Sequence, residues 1–117
     1  MPLLSLLTSA PPPTLARRAE IFAHLTRVLA RELEKPEGYV MVALTAGAQL
    51  SFGGDAATPA CYAELKNVGT LSPDRVAALS QLLCNELESA LRVNPARIYI
   101  EFTNADGAMW GWNGEVF

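Results

Sequence analysis

The stretch Ile21-Phe22-Ala23-His24-Leu25-Thr26-Arg27-Val28-Leu29-Ala30-Arg31-Glu32-Leu33-Glu34-Lys35-Pro36 decides how the chain folds. Ile21, Leu25, Val28 and Leu29 recur at the spacing of one helix face, and Phe22 and Leu33 broaden the stripe. Thr14 precedes it as a candidate N-cap, and Pro36 with Gly38 is expected to stop it. The stripe then returns: Ile21, Leu25, Leu29 and Leu33 superimpose on Leu79, Leu83, Leu87 and Leu91 with a constant offset of 58. Pro36 matches Pro95, and Leu6 matches Leu65, at an offset of 59. The chain is a tandem of two similar units.

Working outward, each helix is flanked by strand candidates. These are Leu3–Ser9 and Tyr39–Leu44 in the first half, Tyr62–Val68 and Arg97–Phe102 in the second. Pro11-Pro12-Pro13 is a stiff connector, and Ser72-Pro73-Asp74 is a strong start for the second helix, whose stripe also takes in Val76 and Ala90 before Asn94-Pro95 breaks it. Gly53-Gly54-Asp55 reads as a tight turn, and Asn104-Ala105-Asp106-Gly107 and Asn113-Gly114 are turn signals around Met109-Trp110-Gly111-Trp112. A strand-helix-strand crossover is right-handed and joins parallel strands. Two pseudo-symmetric β-α-β repeats therefore predict an α+β fold, a four-stranded mixed sheet with two helices on one face.

The 117 residues make a single domain, 1–117, and with half of them hydrophobic and 18% charged the chain has a core to bury. A net charge of -3 gives no electrostatic reason for nucleic acid or an anionic membrane as partner, and Arg17-Arg18 reads as a solvated helix face. Leu3–Leu7 is too short to span a bilayer and has no basic residue before it, so a cytoplasmic protein is expected, with leaderless release left open. Cys61 and Cys84 form no CxxC and read as reduced, mostly buried thiols; with one His, no metal site is expected. Gly53-Gly54 lies in no phosphate-binding frame, and no cofactor is expected.

The sheet face away from the helices carries the functional signal. Leu3-Leu4, Leu6-Leu7 and Val40-Met41-Val42-Ala43-Leu44 are continuously apolar, as strands covered on both faces are. Two helices cover one face, so a second copy of the chain is expected on the other, in preference to the short C-terminal tail. In the last strand Ile98, Ile100 and Phe102 point to the helices, while Tyr99 and Glu101 point to this second face.

Pro2 opens the first strand. Once the initiator Met1 is removed it bears a free secondary amine, a general base that needs no His, Cys or metal; with Met1 retained the nitrogen is an amide without basicity. A terminal amine ordinarily titrates at about 7.7–8.0. Burial at a strand end disfavours the charged form and brings the amine toward a working range near neutral pH.

Pro2, Lys35-Pro36 followed by Tyr39, Ser51-Phe52-Gly53-Gly54, Leu82-Leu83-Cys84, Arg97-Ile98-Tyr99-Ile100 and Gly111-Trp112-Asn113 occur in this order. With these the chain resembles the macrophage migration inhibitory factor (MIF) family of the tautomerase superfamily, over essentially its whole length. The resemblance implies a homotrimer whose three sheets form a central barrel, with active sites between subunits. It implies keto–enol tautomerisation of phenylpyruvate-like aromatic 2-keto acids, and isomerisation of dopachrome as an assay reaction. By the same resemblance Pro2 is the catalytic base, Lys35 the carboxylate partner and Val68 a backbone contact, with Tyr99 supplied by a neighbouring subunit. Trp110 and Trp112 would wall in an aromatic ring. A competing reading is a catalytically weak relative that acts through its surface as a signalling or binding protein. Another is a decarboxylase or dehalogenase of the superfamily, but Arg17, Arg18 and Arg27 lie on the first helix with no evident route to Pro2. The chain also departs from the family: Ala60 and Ala63 flank an isolated Cys61, so no thiol-oxidoreductase activity carries over. Glu101 replaces an Asn and would oppose an acidic substrate unless paired, and Trp110 replaces a smaller aliphatic residue.

Overall fold

A computed structural model describes residues 1–117. The first helix, α1, runs Leu15–Leu33 and the second, α2, Pro73–Leu91. Thr14 and Ser72 cap them through side-chain oxygens that accept from the Arg17 and Arg75 N–H groups, each at 3.2 Å. Every member of the repeated stripe, Ile21, Leu25, Leu29 and Leu33 against Leu79, Leu83, Leu87 and Leu91, is buried.

The helix ends differ from expectation. Neither Pro36 nor Pro95 terminates its helix; the chain turns out earlier, at Glu34 and Arg92, in left-handed conformations with φ of 54° and 56°. These two residues are again 58 apart, so the unusual cap is a property of the repeat. Pro36 acts after it, disfavouring a helical Lys35 and directing the backbone into a short 3-10 turn, Glu37–Tyr39. Tyr39 is thereby removed from the expected strand, and β2 comprises Met41–Thr45.

β1 is Pro2–Thr8, one residue earlier than expected, β3 is Cys61–Val68 and β4 is Ile98–Ala105. The sheet order is β2-β1-β3-β4, with β1 parallel to β2, β3 parallel to β4 and an antiparallel seam between β1 and β3. Each parallel pair is one β-α-β unit, which makes the sheet mixed. The core lies between the sheet and its two helices: Leu4 and Leu6 of β1 and Ala63 and Leu65 of β3 meet the helical leucines, and Ile100 and Phe102 pack at its edge. On the other face Met41 and Tyr99 stand 64% and 66% exposed. The tail after β4 forms a separate two-stranded ribbon, β5 (Gly111–Trp112) with β6 (Glu115–Val116). No helix is long and apolar enough to cross a membrane.

Candidate active site

The start of β1 gathers most of the residues singled out from the sequence. Pro2 has a fully buried side chain and stands opposite Asn67 of β3. The Val68 N–H donates to the Met1 carbonyl at 3.4 Å. In an antiparallel ladder bonded and non-bonded pairs alternate, so Pro2 and Asn67 form a non-bonded pair and the missing proline N–H costs no ladder bond. The Met1 amine is held below its ordinary value, first by burial and then by the charge of Lys35, which lies in the connection after α1. Pro2, Val68 and Lys35 are therefore brought to one end of the sheet.

Aromatic residues wall this end. Tyr39 ends the 3-10 turn two residues before Met41, the register partner of Leu3, and so lies at this end of the sheet. Tyr39 meets Trp112 edge to face, with centroids 5.5 Å apart, and Trp112 stacks on Phe117 at 6.1 Å. The Phe117 N–H closes the ribbon on the Trp110 carbonyl at 3.2 Å. Tyr39 and Phe117 were not assigned to the site from sequence. The signal for Tyr39 was the Lys-Pro bend before it; Phe117 had none, because only the ribbon's closure brings the C-terminus back. Trp110 is half-buried and stands outside this aromatic stack.

Tyr99 lies elsewhere. It is in register with Tyr62, five residues from Asn104, which neighbours Asn67 and, across β3, Pro2. At the usual rise and spacing of strands this separates Tyr99 from Pro2 of the same chain by about 19 Å. The Tyr99 ring rests on Phe52 at 5.0 Å, and the Arg97 guanidinium covers that phenyl ring at 5.3 Å. Arg97 donates to four carbonyls, of Phe52 (3.2 Å), Asp55 (2.9 Å), Thr58 (2.9 Å) and Pro59 (3.0 Å), and so holds the whole 52–59 loop. Two residues beyond Tyr99, Glu101 accepts from the Tyr62 hydroxyl at 2.6 Å, and Glu64 lies 2.8 Å from the same oxygen. The partner of Glu101 is thus a phenol rather than a cation. The carboxylates, Glu101 foremost, push the Tyr62 titration up.

Two polar residues are buried, Thr8 and Asn67. The Thr8 hydroxyl donates to the Ala60 carbonyl at 2.8 Å and accepts from the Ala10 N–H at 3.1 Å. Asn67 is 3% exposed, and its Oδ1 accepts no hydrogen bond from any protein group. The period of two through Cys61, Ala63 and Leu65 puts it on the core face. Cys61 and Cys84 are free, the first buried with its thiol pushed up to about 11 by burial and then by Cys84. Arg17, Arg18 and Arg27 are exposed on α1.

Two β-α-β units back to back, with a proline opening the first strand, define the chain as a protein of the tautomerase superfamily. Its sequence matches the family described as Macrophage migration inhibitory factor (MIF) over residues 1–117, and the chain belongs to that family. It is 39% identical over 85 residues to a macrophage migration inhibitory factor homolog of Trichinella spiralis, covering 73% of this chain and 74% of the relative. It is 30% identical over 97 residues to the Xenopus tropicalis factor, covering 83% and 84%. Among solved structures, the homologue from Prochlorococcus marinus superimposes with a TM-score of 0.89 at 36% identity over 98% of both chains. The Trichinella spiralis structure does so with 0.88 at 30%, covering 98% and 99%.

Proposed function

We propose that the protein is a keto–enol tautomerase of phenylpyruvate-like aromatic 2-keto acids, with dopachrome-type compounds as assay substrates and Pro2, freed of Met1, as general acid and base. The observation that carries this reading is what Met1 occupies. Its carbonyl sits on the Val68 N–H and its amine lies within the field of Lys35. Removing it leaves a secondary amine at a buried strand end, a backbone donor without its acceptor, and an ammonium group close by. A 2-keto acid needs these three groups: a base for the proton on the carbon next to the ketone, a donor for an oxygen, and a cation for the carboxylate.

In the enolising direction the Pro2 nitrogen takes the proton from C3, the C3–H electron pair becomes the C2–C3 double bond, and the carbonyl oxygen gains the charge and then the proton that the Pro2 ammonium gives up. Lys35 and the Val68 N–H bind the carboxylate, and Tyr39, Trp112 and Phe117 border the ring. Tyr99, about 19 Å from Pro2 in its own chain, serves the site of another subunit, where its hydroxyl donates to the enolate oxygen. That arrangement needs a neighbouring subunit, for which the exposed sheet face carrying Met41 and Tyr99 offers a surface, and the assembly proposed is a homotrimer.

The test begins with an intact mass to show that Met1 is gone. The purified protein then ketonises enol-phenylpyruvate, and Pro2→Ala lowers kcat/KM by about a hundredfold or more, the range of a general base. Equal activity in the variant removes Pro2 from the mechanism. Inactivity of the Met1-free wild type favours a surface-acting binding protein instead. Light scattering should return three times the monomer mass; a monomer would leave Tyr99 with no site to complete.

A further inference from the structure

We infer that Asn67 is a positioning residue for the Pro2 amine, its Oδ1 accepting a proton of that amine, directly or across one bound water, once Met1 is removed. Two anomalies of the structure meet at this point and cancel each other. A buried amide oxygen without a donor is rare and costly in a folded protein. The Oδ1 of Asn67 is such an atom, in a residue only 3% exposed, while the fold's other buried polar side chain, Thr8, has both its bonds made. Opposite Asn67 stands Pro2, whose nitrogen has no hydrogen while Met1 is attached and gains one or two when it is removed.

The ladder brings the two close. Pro2 and Asn67 are a directly opposed, non-bonded pair on the same face of the antiparallel seam, the pair type in which side chains approach most closely, with Cα atoms about 4.5 Å apart. A Cβ at Gly69 would lie 3.9 Å from the Asn67 amide nitrogen, so it is the oxygen of the amide, and not the nitrogen, that is left buried without a partner. Cleavage of the Met1–Pro2 bond changes the tertiary amide into a secondary ammonium with two protons. One of these can satisfy Oδ1 and fix the direction in which the other, or the lone pair, faces a substrate. Asn67 thus favours the protonated amine and works against Lys35, which disfavours it; the balance of the two sets where Pro2 titrates.

The other titratable groups around Pro2 do not duplicate this role. β2 carries none, and Tyr62, Glu64 and Lys66 of β3 project from the face opposite Asn67. Glu32 and Arg75, at the helix ends above this part of the sheet, pair with each other at 3.6 Å. Glu34, Glu37 and Tyr39, and Asp106 and Glu115 of the tail, are exposed.

The inference rests on the reading of Pro2 as a free amine, and its test is separable from the enzymatic one. Met1-free protein labelled with 15N-proline is titrated by NMR, following the Pro2 nitrogen, in the wild type and in Asn67→Leu, with Asn67→Ala as the substitute should the leucine variant not fold. The expected result is a Pro2 midpoint about one pH unit lower, a tenfold change in the protonation equilibrium, from loss of one hydrogen bond to the charged form. The acid limb of kcat/KM moves by the same amount. A midpoint within about 0.2 pH unit of wild type in a folded variant overturns the inference, since a merely structural role would not move it. A moved midpoint in a protein inactive toward enol-phenylpyruvate upholds Asn67 and overturns the tautomerase reading. An active enzyme with an unmoved midpoint does the reverse.

Discussion

Arg97→Met tests how the loop that carries Phe52 is held. Arg97 ends the short turn Pro95–Arg97, has 14% of its side chain exposed, and reaches back across the sheet edge to the 52–59 loop. Its bonds to the Phe52 and Pro59 carbonyls are half-buried, and those to Asp55 and Thr58 are exposed. Water replaces the exposed pair at little cost, and the Asp55 carboxylate, at 3.7 Å, adds little at the surface. The two half-buried bonds to a charged donor contribute about 1–1.5 kcal/mol each after partial solvation, and the cation over the Phe52 ring about 0.5–1 kcal/mol. Methionine keeps the aliphatic packing and loses all of these, so the expected destabilisation is about 3 kcal/mol. At 117 residues this lowers the midpoint of thermal unfolding by about 10–15 °C at matched protein concentration.

Arg97→Lys should recover a third of this or less, because a point ammonium cannot span carbonyls on four residues as a planar five-donor fork does. Urea unfolding monitored by fluorescence, with thermal scans at one protein concentration, measures both variants. The loss should also reach activity, because the ring that Arg97 pins is the one on which Tyr99 rests. Arg97→Met within about 1 kcal/mol of wild type, or Lys equal to Arg, would refute the reasoning.

Gly107→Ala should disturb the aromatic wall without touching the base: a Cβ there would lie 2.8 Å from the Phe117 carbonyl oxygen and 3.2 Å from its carbon. The tail must shift, and Phe117 with it, so KM for an aromatic keto acid should rise several-fold while an aliphatic one is little affected; equal effects on both would contradict the assignment of Phe117. Asp55 has its titration lowered to about 2, chiefly by the Thr58 side chain and then by the Ala57 and Thr58 N–H groups. A depressed carboxylate contributes stability that is present above the ordinary value of 3.8 and lost as pH falls through about 2, so Asp55→Asn should flatten the wild-type decline of the urea midpoint over that window. An unchanged slope would show that other carboxylates govern it.

The repeat made the architecture legible. Leucines at a fixed offset of 58 imply two copies of one unit, and the handedness of the crossover fixes how each unit is built; that β1 and β3 meet at the seam comes from the structure. What escaped was set by context rather than pattern. Glu34 and Arg92 adopt left-handed caps usually taken by glycine, because the next residues must leave the helix for a strand edge. Tyr39 looked like the start of an apolar strand, and only the turn at Glu37–Tyr39 moves it to the site. Asn67 was hidden by its own position, a polar residue on a core face that pattern reading counts as an interruption. The partner of Glu101 was out of reach as well. Tyr62 and Glu101 are 39 residues apart, and that contact comes from the parallel register of β3 and β4.

The register also separates folding from activity at the N-terminus. A proline in a ladder is tolerated where no partner needs its N–H, and the Pro2–Asn67 pair is such a place. Nothing in β1 therefore depends on whether the Pro2 nitrogen is an amide or an amine. Retaining Met1 adds one bond, the long 3.4 Å contact from Val68, and leaves Asn67 unsatisfied; its removal loses the first and satisfies the second. The two effects oppose each other and each is about 1 kcal/mol, so chains with and without Met1 should unfold at nearly the same urea concentration. Their activities should differ by the full contribution of the base, because only the processed chain has a basic nitrogen at Pro2; the amine of the longer chain sits one residue out, on Met1. Preparations verified by intact mass and compared in both assays give the answer. A Met1-bearing protein that is as active as the processed one, or that fails to fold, would show that the start of β1 serves the structure and not the reaction.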